Sequence, residues 1–261
     1  MNVTGVPGVP DYTIDTFAPR RHDLALLIPV INENGRITAQ LEAMRDMSPD
    51  VDVIIADGGS DDGSTDDARL ASLGVRTLLT KTGPGRLSAQ LRMGFHYALR
   101  EGYDGVITMD GNGKDDPAGI TEIAAALRRG DDFVQGSRFV KGGHSQNTPW
   151  ERYVAIRLIH APITSIGARR RFTDTTNGFR GHSRRLLTDP QVDPLRDVFT
   201  TYELLAYLPI RASRLGYRVS EVPVTRSYPQ GEAKPTKISG AGAHADLLKI
   251  VTRAARGDYA P

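Results

Sequence analysis

The sequence predicts an α/β protein: a mainly parallel sheet flanked by helices, followed by a less regular C-terminal part. Three observations carry this expectation. Short apolar runs without alternation recur at residues 24–31 (LALLIPVI), 51–56 (VDVIIA), 75–79 (VRTLL) and 106–109 (VITM), as expected of strands covered on both faces. Segments of helical periodicity separate the runs. Each run also ends in a polar turn rather than a two-residue hairpin.

Taken in order, residues 24–31 form the first strand, and after Asn32-Glu33-Asn34-Gly35 a helical pattern runs to about Met47. Residues 51–56 form the second strand, ending in the acidic turn Asp57-Gly58-Gly59-Ser60-Asp61-Asp62-Gly63-Ser64, with a helix to about Leu73. A short strand at 75–79 leads into Lys81-Thr82-Gly83-Pro84-Gly85, and 86–100 reads as a helix. The fourth strand, 106–109, runs into DGNGKDDP; a helix with proline in its first turn covers 117–129, and a fifth strand starts at 132–135. Beyond that, 153–166 reads as one apolar helix containing Pro162, 200–215 as a helix, 217–224 as a half-exposed strand and 241–255 as an amphipathic helix. The expected organisation is a Pro- and Gly-containing, flexible arm at 1–22 and a single domain at 23–261. Within it, residues 23–140 form a first, ligand-binding half, and 141–261 form a second half with the last helix.

Bulk properties narrow the function. A chain of 261 residues with net charge +2 has no global field for nucleic acid, and no nucleic-acid partner is expected. The absence of cysteine removes disulfides, thiolate chemistry and cysteine metal sites, and suits a reducing compartment. The N-terminus lacks the basic-then-apolar pattern of a signal peptide. No segment approaches the roughly 20 apolar residues that span a bilayer. The expectation is a cytoplasmic protein, at most peripheral at the inner face of a membrane. Self-association into a homo-oligomer is left open.

Right-handed crossovers put the carboxyl ends of parallel strands on one edge, where open α/β sheets bind ligands. On that edge the sequence places Asn32 and Glu33, Asp57, Asp110 and Asn112, and the Gly136-Ser137-Arg138 turn. No Gly-x-Gly-x-x-Gly turn follows the first strand, so a dinucleotide site fails, and the loop at Gly83-Pro84-Gly85 lacks a P-loop ending. Counted from Asp57, the acidic run lacks the sixth-position Gly and twelfth-position Glu of a calcium loop. What fits is a diphosphate bound through a hard cation. Asp110 and Asn112 are two residues apart across a glycine turn and can both reach one Mg²⁺ or Mn²⁺. Such a cation would stabilise charge developing on a diphosphate leaving group.

These stretches resemble the family 2 glycosyltransferases with the GT-A fold, a Rossmann-like sheet architecture, most closely the polyprenyl- or dolichyl-phosphate sugar synthase branch. The matching pieces are LIPVINE at 27–33, ADGGSDDGS at 56–64, MDGNGKDDP at 109–117, QGSRF at 135–139, DTTNGFR at 174–180 and EVPVTR at 221–226, in order over roughly 24–240. The resemblance implies an inverting transfer from a nucleoside-diphosphate sugar, with UDP the first expectation and GDP the second. It also implies roles: Pro29, Asn32 and Glu33 at the base and ribose, Asp57 on the base, Gly85 and Arg86 along the donor. Asp110, Gly111, Asn112 and Lys114 would lie at the diphosphate, with Asp110 and Asn112 as metal ligands. Arg138, Arg180, Arg226 and Lys237 would bind the acceptor phosphate or the diphosphate. Two departures matter. Asn112 stands where the family has a second Asp, and Lys114 where it usually has Gln. A lysine there either repels a cation or supplies part of its charge.

If the acceptor is a hydroxyl, a carboxylate must take its proton, and Glu203 and Asp174 are the candidates. If it is a phosphate monoester, it is largely dianionic at neutral pH and needs cations more than a base. The expected acceptor is a polyprenyl phosphate or another membrane-associated molecule. A soluble hydroxyl acceptor, and a sugar-nucleotide-binding protein without turnover, are the alternatives.

Overall fold

The computed structural model describes residues 1–33, 35–228 and 240–261. The sheet is built outward from β3 (Leu24–Val30), which pairs in parallel with β4 (Asp52–Asp57) on one side and β6 (Gly105–Thr108) on the other. Beyond β4 lies parallel β5 (Val75–Lys81). The apolar runs do not alternate because both faces are covered. Leu24, Leu26, Ile28 and Val30 pack with Ile37, Leu41, Leu70 and Ile123 on one face; Ala25 and Leu27 pack with Phe95, Phe199 and Leu204 on the other. The first face carries α1 (Gly35–Met47), α2 (Asp67–Ser72) and α4 (Gly119–Arg128). The second carries α3 (Leu87–Arg100) and α8 (Glu203–Arg214).

The far side of β6 departs from the parallel expectation. β9 (Arg180–Ser183) inserts antiparallel between β6 and β7 (Phe133–Ser137), and β10 (Val219–Pro223) then pairs in parallel with β7. RGHS has no apolar pattern, but Gly181 lets the strand approach α4: a Cβ there would lie 2.7 Å from Ile123. His182 packs its ring 5.2 Å from Phe95 and 5.5 Å from Phe133. Burial, reinforced by Arg180, pushes its pKa down to about 3, so the imidazole is neutral.

The N-terminal residues, expected to be a flexible arm, extend the sheet instead. β1 (Asn2–Val3) and β2 (Tyr12–Thr16) add antiparallel strands beyond β5, giving the order β1-β2-β5-β4-β3-β6-β9-β7-β10. Tyr12 supplies the reason, because its ring is buried and its hydroxyl bonds His96 Nδ1 at 3.0 Å. The predicted helix at 153–166 is two helices, α5 (Trp150–Ala155) and α6 (Ala161–Ala168), joined through a π turn at Ile156–His160. Pro162 falls in the first turn of α6, and the wider π turn precedes it. A small second sheet pairs β8 (His144–Gln146) with β11 (Thr225–Ser227). The remaining helices are α7 (Arg184–Thr188) and α9 (Gly240–Arg256).

Replacing Tyr12 with Ala should cost about 3 kcal/mol in chemical denaturation, as for a buried aromatic side chain. An arm that only drapes over the surface would lose nothing.

Candidate active site

A crevice of about 800 Å³ opens across the carboxyl ends of β3 and β6. Pro29, Glu33, Gly58, Gly85, Arg86 and Gln90 line one end. Asp110, Gly111, Asn112 and Lys114 form the middle, with Arg138, Arg152, Arg226 and Tyr228 beyond them. The expected diphosphate-binding residues therefore share one wall.

The turn after β6 is held by close contacts. Gly111 has no room for a side chain, since a Cβ would lie 3.0 Å from Val30 and 3.1 Å from the Pro29 carbonyl. Gly178 faces Asp110 so closely that a Cβ would lie 2.5 Å from Oδ1. Arg226 locks the carboxylate from the other side: Nη2 donates to Asp110 Oδ2 at 2.9 Å, while Nη1 donates to buried Asp115 and, at 3.2 Å, to Asn177 Oδ1. The backbone reinforces this bridge, because Ser227 N donates to the Lys114 carbonyl at 2.8 Å and Asp116 N to the Thr225 carbonyl at 3.0 Å.

Burial opposes ionisation of Asp110, yet Arg226 and then Lys114 hold its carboxyl below the usual range. Arg226 is driven the other way: its two carboxylates outweigh burial and raise it well above its ordinary value. Burial, then Arg226, bring the Lys114 ammonium down to about 8, so it remains charged at neutral pH. Tyr228 accepts a hydrogen bond from Arg152 at 3.1 Å. Its burial favours the neutral phenol, but Arg226, Arg152 and Arg138 pull its pKa down. Four cationic side chains, Lys114, Arg138, Arg152 and Arg226, thus line the same crevice.

Several expected site residues have other duties. Asp174 is fully buried and forms a forked pair with Arg138, Oδ2 to Nε at 2.6 Å and Oδ1 to Nη2 at 2.9 Å. It orients that arginine and is not among the residues that line the crevice. Glu203 accepts from Thr200 N at 2.8 Å, Thr201 N at 2.6 Å and Thr201 Oγ1 at 2.7 Å, holding the turn that starts α8. Neither candidate base lines the crevice. Arg180 is also engaged within the protein, where its guanidinium donates to the carbonyls of Asn177, Leu205 and Thr175 at 2.9, 2.6 and 2.8 Å. It ties the loop before β9 to α8.

Asp57 accepts from Gly59 N, Ser60 N and Ser60 Oγ, shaping its own turn. Asn32, at a positive φ of 50°, bonds Ser60 and Asp61 and fastens the same loop to β3. Glu33 lines the crevice and pairs with Arg36 at 3.1 Å. Gly85 adopts φ +103° before α3, which brings Arg86 to the crevice edge. Arg138 lines the crevice with Nη1 buried and without a hydrogen-bond partner among the described residues. Lys237 lies outside the described residues.

Sequence reasoning missed Gln90, whose amide donates at 2.8 Å to the carbonyls of both Val30 and Ala56 where β3 and β4 separate. It also missed Gly178, Arg152 and Tyr228. The Gly-Phe pair after Asn177 was a visible signal for Gly178; nothing local marks the Arg152–Tyr228 contact, which joins residues 76 apart.

An open sheet with a nucleotide-sized crevice at its strand ends, an Asp-x-Asn turn and a wall of cations defines a glycosyltransferase of the GT-A fold. The chain belongs to glycosyl transferase family 2, whose family model matches residues 25–188. Over 229 residues it is 31% identical to an undecaprenyl-phosphate mannosyltransferase of Micrococcus luteus, covering 87% of this chain and 91% of that protein. It is 27% identical over 248 residues to a polyprenol monophosphomannose synthase of Mycolicibacterium smegmatis, covering 93% and 90%. The fold is similar to that of glucosyl-3-phosphoglycerate synthase from Mycobacterium tuberculosis, solved with Mn²⁺, UDP and phosphoglyceric acid. That match has a TM-score of 0.61 at 16% identity and covers 88% of this chain and 76% of the other.

Replacing Asp174 with Asn leaves Arg138 buried with its charge uncompensated and should destabilise the fold by about 3 kcal/mol. Chemical denaturation checks this; a catalytic base at that position would lose turnover and keep its stability.

Proposed function

We propose that the protein transfers mannose from a nucleoside-diphosphate sugar to the phosphate of a polyprenyl phosphate, with inversion at the anomeric carbon. One observation carries this reading: the crevice concentrates cations, while both candidate bases are committed elsewhere. Among the described residues, its carboxylates are Glu33 paired with Arg36, Asp110 paired with Arg226, and Glu151 at the exposed start of α5. A hydroxyl acceptor would need one of these as a free base. A phosphate monoester needs none, because it arrives as a dianion. The names of the two curated relatives support the same acceptor and the sugar.

In the reaction a phosphate oxygen of the acceptor attacks the anomeric carbon from the face opposite the diphosphate. That bond forms as the bond from the anomeric carbon to the diphosphate oxygen breaks, and the nucleoside diphosphate leaves with the electron pair. Arg138, oriented by Asp174, and Arg152 bind the acceptor phosphate. Arg226 and Lys114 bind the diphosphate and stabilise the charge that grows there. Residues 23–140 supply most of the donor wall together with Arg138, and residues 141–261 supply Arg152 on the acceptor side and Arg226 at the diphosphate.

The residues present fit Mg²⁺ or Mn²⁺ as a partial shell. Arg226 takes Asp110 Oδ2 and Lys114 N donates to the Asn112 amide oxygen at 3.3 Å, so Asp110 Oδ1 and the second lone pair of that amide oxygen would be the protein's share of a cation that draws its remaining ligands from diphosphate and water. When bound, the ion adds positive charge at the leaving group. Arg226 and Lys114 supply charge at the same place without it.

Calorimetric titration with UDP and with GDP, each with and without Mn²⁺, should show one nucleotide binding, with metal strengthening it, and that sugar nucleotide should yield lipid-linked mannose. Binding of neither overturns the donor assignment. Glu203→Gln should keep turnover within about threefold, whereas loss of a general base costs about 10²-fold or more.

A further inference from the structure

The helices that wall the outer crevice are apolar on the side that faces water. α6 turns Ala161, Thr164, Gly167 and Ala168 inward. Gly167 lies so close to α9 that a Cβ on it would sit 2.8 Å from Ala255. The large residues point the other way: Leu158 is 70% exposed, Ile166 78% and Ile159 42%. Leu158, Pro162 and Ile166 recur every four residues and form one exposed stripe. A helix on a water-soluble surface buries its large apolar side chains and exposes polar ones. This one does the reverse.

The exposed residues are also concentrated. Of the ten large hydrophobic side chains exposed among the described residues, five lie at 150–166, Trp150 and Tyr153 being the others. Single exposed apolar residues need no explanation, but a contiguous group marks a contact surface. Its electrostatics are one-sided. No carboxylate occurs between Glu151 and Asp174, while that stretch carries five arginines. Arginines 169–171, at the end of α6, are all exposed.

The opposite edge of the same helices belongs to the crevice. Arg152, Ile156, His160 and Thr164, four residues apart, all line it. Positions four apart drift around an ordinary α-helix, and the π turn at Ile156–His160 corrects the drift. Leu247, Ile250 and Val251 of α9 form the facing wall. One helical unit therefore lines the crevice from the phosphate-binding cations outward and shows its apolar stripe to the surroundings.

We infer that the stripe of Leu158, Ile159, Pro162 and Ile166, with arginines 169–171, seats the protein on an anionic lipid bilayer, with the crevice opening at headgroup level. Large apolar residues beside a basic cluster, on a helix that lies in the interface, are the features of such a seat. The arginines add attraction to anionic headgroups. No described helix is long and apolar enough to cross a membrane, so the contact lies on the surface. The seat gives the lipid-phosphate acceptor proposed above a route to the site and rests on that reading for its purpose.

The test is co-sedimentation of the full chain with phosphatidylcholine vesicles, with and without phosphatidylglycerol and free of polyprenyl phosphate. The chain should bind vesicles containing phosphatidylglycerol and release as salt rises. The combined Leu158→Ser, Ile159→Ser and Ile166→Ser variant should bind about tenfold more weakly or worse. Replacing arginines 169–171 with Gln should remove the salt-sensitive part. Both variants should titrate with nucleotide as the parent does, since none of these residues lines the donor end. Three results overturn the inference: no vesicle binding by the parent, variants that bind as the parent does, or a parent dimer that the serine variant converts to monomer. Transfer to a short, water-soluble isoprenyl phosphate separates the two readings. Its failure would remove the acceptor assignment and leave vesicle binding as it stands. Its success, with full activity in the serine variant, alongside loss of transfer to acceptor embedded in vesicles, supports both.

Discussion

The buried Arg226 guanidinium is the constraint on which the site depends. It spans Asp110, at the end of a central strand, and Asp115, at the far end of the same turn, and so pins the C-terminal part of the chain to the sheet edge. Removing one partner from such a cluster leaves a buried charge uncompensated, which is far more costly than breaking an exposed ion pair. The arrangement keeps Asp110 ionised although it is largely desolvated, and it fixes which carboxylate oxygen remains for a ligand. Lys114 and Tyr228 are brought into contact by the same strand pairing, with the ammonium 5.3 Å from the centre of the Tyr228 ring. The diphosphate end of the crevice is thus pre-organised by backbone pairing as much as by side chains.

A second buried pair, Arg138 with Asp174, presets a cation on the side that the proposed function gives to the acceptor. One fork of the guanidinium is spent on Asp174, and Nη1 is left without a partner among the described residues. A buried donor without an acceptor costs free energy until a ligand satisfies it. This is the behaviour expected of a phosphate-binding arginine held ready in a dry wall. Both ends of the crevice therefore present preset positive charge, as the proposed meeting of two anions, acceptor phosphate and donor diphosphate, at one carbon requires.

The strands at 24–31, 51–56, 75–79 and 106–109 were legible because a strand covered on both faces leaves an unbroken apolar run. The Asp110-to-Lys114 turn was legible because ligand-binding turns at strand ends concentrate Gly, Asp and Asn. β9 was not, since RGHS owes its place to a glycine contact with α4 and a neutral histidine between two phenylalanines. Sequence brought Asp174, Glu203 and Arg180 near the site but could not show which way each side chain turns. Asp174 turns to an arginine 36 residues away, Glu203 to its own helix start, and Arg180 to three carbonyls. The arm at 1–22 reads as loop because Tyr12 becomes a core residue only when α3 presents His96.

The central claim is that preset charge, with no general base, drives the transfer. The most direct measurement offers the purified protein two acceptors that differ only in the terminal group, a polyprenyl phosphate and the corresponding polyprenol, with the same sugar nucleotide. The account predicts glycosylation of the phosphate and none of the alcohol across neutral pH. Glycosylation of the alcohol at a comparable rate would contradict it and require a general base, for which Glu151 is the crevice carboxylate to test.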